Sequence, residues 1–333
     1  MTFVNKSKVL TLSLLSSCFF STHALSSELG SLSQRVKEPE LSNQALENTA
    51  KKCKSGNKIS HQEAQVVEGI CLKVLLALGE REMEQENLLA SLNWFQRAVD
   101  NYASHEAMLR IGLLYMENKH FENADSNAKK WLEKAGNNGS KAAWFNLGIL
   151  YLRESNGESN SKAILYFEKA AQLGHAKANY NLYVFYQDRD FQSYNMQKAI
   201  GYLQRAAAKN DADALFALGV LYKDGIHLKQ SFKLAEKYLT LAYQAKHNQA
   251  VIFLASLYSK NIESEESFRV AEHWLLEASK AGSLESKFNL AMLYSSYEWL
   301  DAALSRESRK LLLELEKAGY KPASAYLLKL ENN

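Results

Sequence analysis

AWFNLGILYLRESNGESNSKAILYFEKAAQLGHA, residues 143–176, is the stretch whose reading decides the fold. Offsets of 4, 3 and 1 between Ala143, Leu147, Leu150 and Tyr151 place all four on one face of a helix. Ala163, Tyr166, Phe167 and Ala170 do the same for a second helix. Between them, Glu154 to Ser161 is a polar turn, and Gly174 suits a left-handed cap at the second helix's C-terminus. The stretch is a helical hairpin with one apolar face on each arm.

Moving outward, the same hairpin recurs. Tyr115, Tyr151, Tyr186, Tyr222, Tyr258 and Tyr294 are spaced by 36, 35, 36, 36 and 36 residues. Eight residues before each stands Ala107, Ala143, Ala178, Ala214, Ala250 or Ser286, and four before each stands Ile111, Leu147, Leu182, Leu218, Leu254 or Leu290. The second arm repeats through Ala128, Ala163, Ala199, Ala235, Ala271 and Ser308, each followed three residues later by Trp131, Tyr166, Tyr202, Tyr238, Trp274 or Leu311. Gly139, Gly282 and Gly319 take the place of Gly174 in other units; Asn210 substitutes well there, whereas Lys246 does not suit a left-handed turn. A period near 36 residues predicts an all-α fold, a right-handed superhelical solenoid of helix-turn-helix units. One hairpin buries too little to offset its chain entropy, so each must be covered by its neighbours. In this reading the alanine column permits close helix approach, and the tyrosine and tryptophan columns fill the space between layers.

These units resemble the Sel-1-like repeats, relatives of the tetratricopeptide repeats. The resemblance is carried best by Leu147-Gly148, Tyr151, Lys162-Ala163, Tyr166-Phe167, Ala170-Ala171 and Gly174-His175-Ala176. Six units span 105–320, a degenerate one with Cys71, Leu75, Trp94-Phe95 and Ala98 occupies 64–104, and a capping helix follows over 321–333. Only Lys223-Asp224-Gly225-Ile226 keeps the family's glycine in the loop between the arms. The resemblance implies a scaffold for protein partners in a bacterial envelope, serving assembly, secretion, motility or host contact. It also leaves open an envelope hydrolase acting on peptidoglycan or β-lactams, suggested by disulfide-rich relatives, and a dedicated outer-membrane assembly factor.

Residues 1–24 look like a signal peptide: Lys6 and Lys8 precede an uncharged stretch from Val9 to Phe20, too short to span a bilayer, and Thr22-His23-Ala24 offers a cleavage site. Leu15-Ser16-Ser17-Cys18 competes as a lipoprotein box with Cys18 as anchor, and an uncleaved anchor is the third reading. Soluble export to the periplasm, outer-membrane lipidation and secretion therefore all stay open. A polar tether over 25–63 follows, with a short helix possible at Leu41–Lys52. Cys53 and Cys71 would be the only cysteines of a chain starting at Leu25; in an oxidising compartment they can form one disulfide, the alternative being two thiols.

The chain carries a net charge of +3, about +1 without Lys6 and Lys8, and its signs are interspersed, so nucleic acid is excluded as a partner. No His-Glu-x-x-His, Gly-x-Ser-x-Gly, phosphate-binding glycine loop or Cys-x-x-Cys occurs, and the eight histidines are scattered. The sequence thus predicts no enzyme, metal or cofactor. Opposite the core of the first helices runs a column of Leu109, Phe145, Tyr180, Phe216, Ile252 and Phe288, beside Arg110, Asn146, Asn181, Ala217, Phe253 and Asn289. It reads either as packing between repeats or as the strip that grips a partner on a concave face, aromatics giving area and asparagines holding peptide backbone. The binding reading selects Arg110, Asn146, Tyr180, Asn181, Phe216, Phe288 and Asn289, with Arg153, Lys177 and Asp188 setting specificity.

Overall fold

The computed structural model describes residues 61–154, 156–189, 194–258, 264–297 and 302–331. The leader, Cys18, Cys53 and the tether as far as residue 60 lie outside them. The described residues are helical, with no strand among them, and the chain divides into two compact units, Met1–Ser140 and Lys141–Asn333. The first holds α1 (His61–Glu84), α2 (Leu88–Tyr102), α3 (His105–Glu117) and α4 (Ala124–Asn137). The second holds α5 (Lys141–Leu152), α6 (Gly157–Gln172), α7 (Ala176–Gln187), α8 (Met196–Ala207), α9 (Ala212–Asp224), α10 (Phe232–Gln244), α11 (Ala250–Tyr258), α12 (Glu265–Lys280), α13 (Leu284–Ser296), α14 (Ala302–Lys317) and α15 (Lys321–Glu331). Within each unit, every helix packs on the next in sequence. This is the architecture of helical-hairpin repeats.

The alanine columns are buried in every hairpin, as are Ile111, Leu147, Leu182, Leu218, Leu254 and Leu290. The degenerate first unit is a full hairpin: Val74, Leu75 and Leu78 of α1 share a core with Phe95 and Ala98 of α2 and with Ala107, Ile111 and Leu114 of α3. Ser91 and Ser308 stand in the second-arm alanine column of the first and last hairpins, and each buried hydroxyl donates to a first-arm carbonyl, that of Gly79 and of Ala291 respectively, at 2.7 Å. Cys71 is fully buried in α1 and disulfide-bonded. At the other end, Ala323 and Leu327 of α15 close the core over Leu312 and Leu315.

Glycine has a second use. A Cβ on Gly79, Gly112, Gly148 or Gly219 would come within 2.4–2.8 Å of the facing Phe95, Leu132, Phe167 or Leu239, so the two arms of these hairpins touch through the missing side chain.

From α4 onward, one kind of turn joins each second arm to the following first arm. Gly174 N–H bonds Ala171 O at 2.9 Å and His175 N–H bonds Ala170 O at 3.0 Å, the paired bonds of a Schellman cap, with Gly174 at φ +77°. The same pair closes α4, α8, α10, α12 and α14. Lys246 is a correction to the expectation: it adopts φ +69° and donates to Tyr243 O at 3.0 Å like the glycines. The two backbone bonds hold the turn whatever the side chain, at the cost of left-handed strain.

The tyrosine column divides in two: Tyr186 and Tyr294 are buried between layers. Tyr151, Tyr186 and Tyr222 stack on Tyr166, Tyr202 and Tyr238 of their own second arms, at 5.4–5.7 Å and 3–17°. Tyr115, Tyr151, Tyr222 and Tyr258 are only half-buried. Rings and hydroxyls both cross between hairpins: Tyr258 meets Phe232 edge-on at 5.3 Å and Tyr294 lies 6.5 Å from Phe268. Tyr186 donates to Glu168 at 2.9 Å, Tyr294 to Glu272 at 2.8 Å and Tyr258 to Glu236, each carboxylate belonging to the preceding second arm. The column therefore both packs the seams and ties them through its hydroxyls.

Candidate functional site

The expected binding residues fall into three environments. Arg110, in the first unit, is ion-paired with Glu80 at 2.8 Å and lies 3.8 Å from Glu106. Asn146 donates to Ala142 O of its own helix at 2.8 Å. Phe216 stacks on His247 at 4.1 Å and meets the edge of Phe253 at 4.8 Å. Phe145 stacks in the same way on His175 at 4.4 Å, and Phe288 packs on Tyr320 at 5.7 Å. In each case the ring lies against the residue that follows the left-handed turn of the next hairpin, so the aromatic column is half-buried at the seams. Helical angle alone could not show this, because the covering residue sits about 30 positions away.

Tyr180 is half-buried at the same kind of seam; burial raises its hydroxyl pKa, with the charges of Asp213 and Asp211 adding to the rise. Asp211 caps α9 by accepting from Ala214 N–H at 3.1 Å. Burial lifts its carboxyl above the usual range against that bond. His175 caps α7 through Nδ1, which accepts from Ala178 N–H at 3.2 Å. Burial, then Lys141 and Lys177, lower its pKa to about 4, which keeps the imidazole neutral and able to accept.

The third environment is open. Lys177, Asn181 and Asp188 follow one another along one face of α7 with Val184 between the last two. Lys177 is exposed, Val184 is 42% exposed, and Asn181 and Asp188 are half-buried, Asp188 forming the helix's C-terminal cap. Asn181 and, on α13, Asn289 have no side-chain hydrogen-bond partner among the described residues. Arg153 is exposed just beyond the end of α5. The structure thus gathers Lys177, Asn181 and Asp188 on one strip and leaves Arg110 in the other unit.

Sequence reasoning missed the polar seam beside this strip. Glu168 accepts from Tyr186, from Lys198 at 2.9 Å and from Tyr202 at 3.3 Å, while the Lys198 ammonium lies 4.1 Å over the Tyr186 ring. Burial alone would raise the Glu168 pKa, but the bonds from Lys198 and Tyr186 outweigh it and hold the carboxyl below its usual range. The signal was available in part: Glu236 and Glu272 stand 36 residues apart, each directly after the alanine column. Val184 was the other omission, being an apolar residue exposed on a first arm. Among the described residues no cluster of His, Cys, Asp and Glu could hold a metal ion, and no helix is long and apolar enough to cross a membrane.

Hairpins of this length, joined by a Schellman turn and paired through small residues, define a helical-repeat protein of the SLR and TPR class. Residues 105–140, 142–175, 176–211 and 212–247 each match the family model described as Sel1 repeat, so the chain carries four Sel1 repeats. Among solved structures it is similar to a Sel1 repeat protein from Oxalobacter formigenes, with 24% identity, 72% of this chain and 98% of that one covered, and a TM-score of 0.52. It is also similar to c5321, a protective antigen present in uropathogenic Escherichia coli strains and displaying an SLR fold, with 16% identity, 90% and 73% covered, and a TM-score of 0.56. At these identities the likeness concerns the fold. A comparison with curated protein sequences finds no match. A repeat scaffold of this class points to a role in protein–protein interaction.

Proposed function

We propose that the chain is a non-catalytic adaptor of the periplasm or cell envelope, holding protein partners on the exposed strip of first arms in its second unit. The observation that carries this reading is Asn181, an amide with no side-chain hydrogen-bond partner among the described residues, set between an exposed lysine and an exposed valine on α7. A peptide backbone laid along α7 could satisfy the amide, pack on Val184 and be oriented by Lys177 and Asp188. Aromatic anchors at the seams would contribute only their exposed edges. Export rests on the leader read from residues 1–24, with the Cys18 lipoprotein as its competitor.

Crosslinking in the native envelope, followed by mass spectrometry, tests the adaptor. A protein partner crosslinked near Lys177, and lost on Asn181→Ala with Val184→Asp, is the expected result. Recovery unaffected by both changes, or hydrolysis of peptidoglycan or a β-lactam by the purified protein, would overturn it. Intact mass tests export: a chain from Leu25 to Asn333 supports cleavage, and a diacylglyceryl group on Cys18 shows a lipoprotein instead.

A further inference from the structure

The first unit carries an open groove of about 660 Å³ at the ends of its two hairpins, between the α1–α2 loop with Leu88 and Leu89 of α2 on one side and the α3–α4 loop with Phe121 on the other. Its floor is apolar. Leu89 is 73% exposed, the highest value among the large apolar side chains described, and Leu88 and Phe121 stand half-buried beside it. Phe121 is fixed in place edge-on to Tyr115 at 5.2 Å. The polar side chains at the rim are partly tied down: Asn87 donates to Glu82 at 3.0 Å, and Asn118 to Leu114 O at 2.9 Å. Neither bond neutralises a charge.

The rim is acidic. Glu82 and Glu86 both line it, and His120 is the other ionisable side chain there. The nearest loop cation, Lys119, is ion-paired with Asp125. A leucine held in water costs about 25 cal/mol for each Å² of apolar surface, and the groove has the size of a small-ligand or peptide site.

We propose that this groove is a second docking site, taking a basic peptide segment of a partner protein that places one bulky apolar side chain on Leu89 and Phe121 and its lysines or arginines against Glu82 and Glu86. Apolar contact supplies affinity and the acidic rim supplies selection by sign. The site is independent of the α7 strip and lies in the other unit.

Two labelled peptides with the same Leu-Phe centre test it, one flanked by lysines and one by glutamates, titrated by fluorescence anisotropy against the full chain. The lysine peptide should bind saturably and at least tenfold more tightly, with the preference shrinking as salt is raised. Leu89→Asp should weaken it at least tenfold, and Glu86→Lys should reduce the preference for the lysine peptide. Both positions are exposed, so an unchanged thermal melt shows that the variants are folded. Asn181→Ala should leave binding untouched. Equal affinity for the two peptides, or binding indifferent to Leu89→Asp and Glu86→Lys in folded protein, overturns the proposal.

Discussion

The four hairpins between residues 105 and 247 match the Sel1 model, whereas the two that follow, α11–α12 and α13–α14, do not, and yet the two groups bury the same columns. Leu218 in α9 is 1% exposed; Leu254 in α11 and Leu290 in α13 are 0% and 1%. What changes is how the arms approach. In α5–α6 and α9–α10 a glycine meets Phe167 or Leu239. At the equivalent place α11 and α13 carry Ala255 and Ala291, both buried, in cores shared with Leu275 and Leu312. α7, inside the matched region, carries a buried Tyr183 there, turned toward Tyr180 at 5.9 Å. The fold therefore keeps this position buried without fixing which residue fills it, and a motif keyed to residue identity can stop before the architecture does.

The largest effects should ignore the boundary at 247. Leu218→Ala and Leu254→Ala should each destabilise by about 2–5 kcal/mol in denaturant melts, since both remove a fully packed side chain. A clearly smaller loss at Leu254 would show that the unmatched hairpins are less well packed. Tyr222→Ala, at a half-buried member of the column, should cost about 2 kcal/mol, from one stacked pair and partial burial.

The approach of the arms should separate the two groups. Gly148→Ala puts a methyl 2.6 Å from the Phe167 ring and should cost about 1–3 kcal/mol. Phe167→Leu in the same chain should recover part of that. Ala255→Gly should cost about 1 kcal/mol, the helix penalty of glycine, because no close approach requires it there. A neutral Gly148→Ala would mean that the glycine only reflects ancestry.

Period and composition made the helices, the buried columns and most left-handed turns legible, because those depend on residues within one hairpin. Contacts across seams were not. Phe216 and Asn146 stand on the helix face read as open, but the partner that covers Phe216 lies 31 residues on, and Asn146 turns back to its own helix. Arg110 is neutralised by a glutamate 30 residues earlier. Asn181 kept its openness because Lys177 and Val184, its neighbours along the helix, are exposed as well. Periodicity gives the tyrosine column but not the direction of each ring, so it does not separate Tyr186 and Tyr294, buried between layers, from the half-buried Tyr151 and Tyr222.

Acid should act on a seam within the matched group. His175 has a pKa near 4 in the folded chain, against an ordinary value of 6.5, so between those values the unfolded chain binds a proton that the folded one refuses. Stability is complete above about pH 6.5 and falls as pH drops toward 4. The imidazole is half-exposed, so solvent screening reduces the loss to about 1–2 kcal/mol. His175→Asn keeps a cap acceptor without the titration and should flatten that part of the pH profile. If melts of the variant and the parent lose stability in parallel from pH 6.5 to 4, the cap is not responsible.

The smallest effect tests the turn at the boundary itself. Gly174 and Lys246 hold the same left-handed place with the same paired backbone bonds, at φ +77° and +69°. A side chain there pays steric strain of about 1–2 kcal/mol that glycine does not. Glycine in turn gives the unfolded chain more freedom, which takes back about 0.4–1 kcal/mol. Lys246 is exposed and makes no ion pair among the described residues, so little else is lost with it. Lys246→Gly should therefore raise stability by about 0.5–1 kcal/mol, while Gly174→Lys should lower it by a similar amount. Destabilisation by Lys246→Gly would show that the lysine stem packs on the α10–α11 turn by more than its exposure implies, and the boundary would then rest on a side-chain contact rather than on backbone geometry.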